Sequence, residues 1–146
     1  MIEADINREL VHALDPVAFA VERLGFTPDP WQERVLRSSS NRILLNCTRQ
    51  AGKTTITAVL SLHTAIYQPR SLVLLFSKAQ RQSSELLAKI HGYINTMERP
   101  PLLTKEAATE IRLKNGSRVV SLPGDGDSIR GYSAPNLIVE DEAAFV

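Results

Sequence analysis

The sequence has one cysteine, Cys47, and three widely separated histidines, His12, His63 and His91. No internal disulfide can form, and none of the spacings of a zinc site occurs; a reducing cytoplasm is the expected setting. Charge of one sign is equally scarce. Seventeen basic side chains face 16 acidic ones for a net +1, so bulk electrostatics favours neither a nucleic acid nor an acidic partner, and any polyanion site must be local. The longest aliphatic runs, ILL and LVLLF, fall far short of the roughly 20 residues that span a bilayer. The start, MIEADINREL, has no basic segment leading into an apolar one. Neither secretion nor membrane insertion is expected. Seven Gly and 8 Pro are too few for a low-complexity chain. What remains is a globular composition, 43% hydrophobic and 23% charged over 146 residues, enough for one domain of about 100–200 residues but not two.

Local signals set the element order. Asp15-Pro16 reads as an N-cap with proline at the first helical position, and Gly25 closes that short helix. WQERVLR gives another one or two helical turns before SSSN breaks it. RILLNC, Arg42 to Cys47, is a near-continuous apolar run of the kind that forms a strand covered on both faces. TITAVLSLHTAIY follows as a helix, SLVLLFS repeats the buried-strand signature, and residues 78–97 form an amphipathic helix with Leu86, Leu87, Ile90, Tyr93 and Ile94 on its apolar side. EIRLK and SRVVSL flank Asn115-Gly116, a strong hairpin signal. A polar loop rich in glycine leads into NLIVEDE, an apolar strand ending in three carboxylates. Alternating strands and helices predict an α/β fold with a mostly parallel sheet flanked by helices, plus a β-hairpin.

Between the expected strand at 42–47 and its helix lies Cys-Thr-Arg-Gln-Ala-Gly-Lys-Thr, residues 47–54. It matches the phosphate-binding pattern GxxxxGK[ST] except that Cys47 stands where the first glycine would be. Backbone N–H groups from Gln50 and Ala51 to Thr54 would meet a phosphate at a helix N-terminus, where unpaired donors and the helix dipole both favour negative charge. Gly52 permits close approach, Lys53 supplies the cation for the β- and γ-phosphates, Thr54 offers a hydroxyl to Mg²⁺, and Thr55 supports it. Asp141, closing an apolar strand, is placed as the magnesium carboxylate of a Walker B strand. Glu142 beside it suits a general base that orients the attacking water. A division of labour between Asp141 and Glu140 is the alternative. ATP and Mg²⁺ are the expected cofactors. Asp125 and Asp127, alternating with glycines, read as turn residues, and Arg112, Lys114 and Arg118 as a solvated face of the hairpin.

RQAGKTT together with SIRGYSAPNLIVEDEAAFV resembles the ATPase half of a viral or phage terminase large subunit, the motor that packages double-stranded DNA. The resemblance runs from about Trp31 to the last residue, with residues 1–30 as a helical lead-in, and implies a P-loop ATPase of the additional-strand, catalytic-glutamate class. In that family the loop commonly lacks its first glycine and carries an arginine, here Arg49, which would sense the γ-phosphate or pair with an acid of the opposing loop. Trp31-Gln32 resembles the adenine-recognition element, with Gln32 on the base edge; the alternative is a helix start whose Trp packs in the core. Arg130, of the Arg130-Gly131 pair, is similar in position to an arginine finger acting on a neighbouring subunit's nucleotide, or is a loop arginine with a structural role. Ala143, Ala144 and Phe145 match the family's tail after Asp-Glu.

The resemblance further implies a homo-oligomeric ring, a terminase small subunit, a portal or procapsid and double-stranded DNA as partners, in the cytoplasm of a bacterial host. The family's next strand, its lid and its nuclease domain have no counterpart in the sequence, so a partial ATPase domain with an incomplete sheet is expected, the ending at Val146 being read as a truncation. Two other functions fit parts of the pattern: a helicase-like ATPase, disfavoured by Ala143-Ala144 after the acidic pair, and a non-catalytic remnant that only binds nucleotide or partners.

Overall fold

A computed structural model of the chain describes every residue except Asp125 and residues 144–146. The turn reading of Asp125 and the Ala144-Phe145 tail therefore lie outside the described residues. Eleven elements follow one another: α1 (Ile2–Leu14), α2 (Pro16–Leu24), α3 (Pro30–Leu36), α4 (Lys53–Tyr67), β1 (Leu72–Ser77), α5 (Gln80–Thr96), β2 (Leu103–Glu106), β3 (Glu110–Leu113), β4 (Arg118–Pro123), α6 (Gly126–Ile129) and β5 (Leu137–Asp141). Among the described residues no helix is long and apolar enough to cross a membrane.

The strands form one sheet in the order β2-β3-β4-β1-β5. β1 pairs in parallel with β4 and β5, whereas β2, β3 and β4 pair antiparallel. The α/β class is as expected, but the sheet is mixed rather than mostly parallel. The reason is local: the hairpin is not a separate ribbon, because β4 pairs directly with β1 and carries β3 and β2 into the same sheet.

β1 is buried almost throughout, and its alternation divides the core. Val73 and Leu75 join the main cluster with Ile56, Leu62, Leu87 and Ile90 from α4 and α5. Leu74 and Phe76, pointing the other way, meet Val120 under Leu122 and Tyr132. α4 and α5 pack on one face, and Tyr132, between α6 and β5, packs on the other. Each such buried side chain contributes roughly 1.5–3 kcal/mol by leaving water, so β1 anchors both layers.

The expected strand over Arg42–Cys47 does not form. Those residues pair with no strand, Leu44 is 86% and Ile43 46% exposed, and only Leu45 packs against the core. Hydrophobicity creates a demand for cover, but a strand also needs a neighbour to take its N–H and C=O groups. Among the described residues none lies beside this run.

The turn signals hold. Asp15 ends α1 and caps α2, its carboxylate accepting from Val17 N–H at 3.0 Å, and Gly25 closes α2 at φ 64°. At the hairpin only Gly116 is left-handed, with φ 88°. Gly116 N–H donates to the Leu113 carbonyl at 3.0 Å and Leu113 N–H to the Ser117 carbonyl at 2.9 Å. That is the three-residue turn with a glycine bulge rather than a two-residue turn.

α1 falls within residues 1–30, expected as a helical lead-in, although no local signal marks its bounds. Towards α2 it makes polar contacts: Arg8 and His12 meet Glu22 at 3.2 and 2.8 Å, and Glu9 meets Arg23 at 2.5 Å, and its buried residue is His12. Ile2, Ile6, Leu10 and Leu14 remain exposed. The usual apolar-inward pattern is reversed.

Candidate functional site

The phosphate-binding pattern folds as a loop followed by a long helix. Gly52 is the N-cap of α4 at φ 88°, ψ 20°, and its carbonyl accepts from Ile56 N–H at 3.1 Å, the first turn of the helix. The N–H groups that open a helix have no acceptor within it. Here they belong to Lys53, Thr54 and Thr55, the residues the pattern singles out. Around them lies a cavity of about 290 Å³ lined by Gln50, Ala51, Gly52, Lys53, Thr54, Thr55 and Lys89. The lining holds two lysines and no carboxylate, so helix dipole and side-chain charge act in the same direction.

Individual residues are placed as follows. Lys53 Nζ donates to the Cys47 carbonyl at 3.3 Å, folding the lysine back over its own loop. Thr54 is exposed and Thr55 half-buried. Thr57 donates to the Lys53 carbonyl at 3.0 Å, bracing the first turn. Arg49 is exposed and makes no ion pair with the described residues. Gln50 adopts φ 61°, an arrangement costing a non-glycine residue on the order of 1–2 kcal/mol.

The carboxylates stand at the end of β5. Ser77 of β1 is in register with Asp141 and Phe76 with Glu140. Asp141 is half-buried, while Glu140 and Glu142 are exposed. Glu142 is left-handed at φ 54°, and its N–H donates to Asp141 Oδ1 at 3.0 Å. The chain thus leaves the strand at the Asp-Glu step. α4 packs against β5, but Asp141 and Glu142 do not line the cavity at the loop. The structure brings together Gln50 to Thr55 and leaves the acidic pair outside that cavity.

Arg130 is also apart. It follows α6, is 83% exposed, and pairs with Asp127 at 3.5 Å across one turn. Trp31 and Gln32, adjacent on α3, have different fates. Trp31 is partly buried against the core and, with Arg34, Val35, Ser38, Ile43 and Leu44, lines a groove of mixed polarity of about 300 Å³. Gln32 is 3% exposed; its Oε1 accepts from Asp29 N–H at 2.8 Å, and its Nε2 donates to the Gly52 carbonyl at 3.4 Å.

Two features escaped sequence reasoning. Lys89 reaches the cavity from α5, and nothing in its neighbourhood, Leu-Leu-Ala-Lys-Ile, marks it as more than a helix-surface lysine. The link from Gln32 to Asp29 had a signal: Asp followed three residues later by Gln is the spacing of a capping box.

Hard oxygen donors for a magnesium ion exist at Thr54 and Asp141. Among the described residues there is no cluster of three His, Cys, Asp or Glu side chains. Thr54 lines the cavity and Asp141 stands outside it; an ion at either oxygen would take most of its ligands from phosphate oxygens and water. No protein-family model matches this chain.

Proposed function

We propose that the chain is the ATP-binding and ATP-hydrolysing portion of a DNA-packaging motor of the terminase large-subunit type. The observation that carries the nucleotide reading is the cavity at the start of α4, lined by Gln50 to Thr55 with Lys53 and Lys89 as its charges. A site made of unpaired N–H groups, a helix dipole and lysines selects a compact polyanion. Thr54 and Asp141 are the residues that would hold a magnesium ion, which would supply positive charge to the β- and γ-phosphates when bound. Lys53 releases Cys47 and turns to the phosphates. Glu142 accepts a proton from the attacking water and orients it.

The left-handed geometry of Gln50 and Glu142 supports this reading. Only four non-glycine residues among those described adopt positive φ, and two of them fall in the proposed machinery, where backbone strain tends to concentrate. Arg49, exposed and without an ion-pair partner among the described residues, is available for a γ-phosphate or a neighbouring subunit. Arg130, whose ion-pair partner among the described residues is an exposed Asp127, is able to leave it and act on a neighbour's nucleotide. Double-stranded DNA, the small subunit, the portal, a ring assembly and a location in a bacterial host rest on the resemblance of the motifs alone.

Hydrolysis and binding are separable in this scheme. A Glu142→Gln variant is expected to keep Mg-ATP binding while losing at least about 100-fold in turnover, the usual weight of a general base. Equal turnover by wild type and variant in a phosphate-release assay would remove Glu142 from the mechanism and return the role to Glu140.

A further inference from the structure

We infer that Gln32 is a positioning residue for the phosphate loop and does not read the nucleotide base. The inference rests on the nucleotide reading of the site. Its ground is the set of bonds that Gln32 makes. A base-reading amide must present its donor and acceptor to the ligand. Here Oε1 is taken by Asp29 N–H at 2.8 Å, Nε2 faces the Gly52 carbonyl at 3.4 Å, and the side chain is 3% exposed. The partners fix which end is which, since reversing the amide would set N–H against N–H and carbonyl against carbonyl.

The contact with Gly52 is steric as well as polar. A methyl group built on Gly52 would lie 2.6 Å from Gln32 Nε2, so the amide fills the space where a side chain at position 52 would be. The Gly52 carbonyl is also the one that accepts the first helical bond of α4, from Ile56. Gln32 therefore holds the peptide on which the loop turns into the helix, and through it the direction of the N–H groups of Lys53 and Thr54. α3, through its own N-terminal cap, is strapped to the phosphate cradle. The base has another surface close by, the groove in which Trp31, Ile43 and Leu44 stand beside Arg34, Ser38 and Asn46.

A positioning role acts on phosphates, so its loss must be blind to the base. Affinities for Mg-ATP, Mg-GTP and magnesium tripolyphosphate are to be measured by calorimetry at pH 8 for wild type, Gln32→Glu and Lys53→Ala, with thermal melts alongside. Gln32→Glu keeps an acceptor for Asp29 N–H but opposes a carboxylate to the Gly52 carbonyl. All three ligands are expected to weaken by the same factor, roughly 3- to 10-fold, the worth of one hydrogen bond. Loss of ATP affinity alone, or no loss for any ligand, overturns the inference. If wild type binds none of the three in a manner that depends on Lys53, the nucleotide reading itself falls and takes the inference with it.

Should Gln32→Glu not fold, the unmodified chain decides. The side-chain amide resonance of Gln32 must move as far with tripolyphosphate as with ATP. A response to ATP alone overturns the positioning role.

Discussion

Glu110 shows how single residues stabilise this sheet. It is 8% exposed, and its carboxylate meets Lys105, Arg112 and Arg118 at 2.7–2.9 Å. Burial alone would raise its pKa, but hydrogen bonds from Arg112, Lys105 and Arg118 outweigh it and bring the group down to about 2. A carboxyl depressed on folding contributes stability that is present above its unfolded pKa and lost as pH falls towards the folded one. We expect Glu110→Gln to cost about 2 kcal/mol at pH 7, a figure discounted for its half-exposed partners. In urea melts the gap between variant and wild type should close as pH drops from about 4.5 to 2. A gap that persists unchanged at pH 2 would show that the cluster contributes by shape rather than charge. The same contacts explain why Arg112 and Arg118, which look like a free basic face in the sequence, are not free: one buried carboxylate engages both.

Among the elements, the segment before the loop at 47–54 is the informative case. Arg42–Cys47 has the composition of a buried strand, yet among the described residues no strand pairs with it, and Leu44 stands in solvent. Hydrogen exchange should find the amides of residues 43–46 unprotected, while those of Val73 to Phe76 in β1, paired on both sides, exchange more slowly by orders of magnitude. Strong protection at 43–46 would mean that this run pairs after all. The two cases mark what a sequence can tell. β1 and β5 were legible because their hydrophobicity coincides with partners on the sheet. The hairpin was legible because Asn115-Gly116 dictates a turn wherever it sits, although the bulged form was set by the Gly116 φ and not by the dipeptide. Residues 1–30 were expected to be helical, but the bounds of α1 were not legible, because that helix is held by Glu22 and Arg23 from α2, contacts that no periodicity announces. In the candidate site, Gln50 to Thr55 were readable from spacing alone, since loop and helix N-terminus are contiguous. Lys89 and the Gln32 strap join residues distant along the chain, and only packing reveals them.

For the whole molecule, the sheet sets the ends of β1 and β5 side by side, with Ser77 opposite Asp141, and α4 packs on the same β5. The proposed function joins a cradle of N–H groups and lysines at the start of α4 with an acidic pair at the end of β5. If the cradle takes a magnesium nucleotide with Lys53 as its main charge, calorimetric titration of Mg-ATP should show saturable binding by wild type and a loss of at least tenfold in Lys53→Ala, about 1.4 kcal/mol. The thermal midpoint of the unliganded chain should change little. Equal affinity in the two proteins, or no heat of binding in wild type up to millimolar ligand, would refute the nucleotide reading.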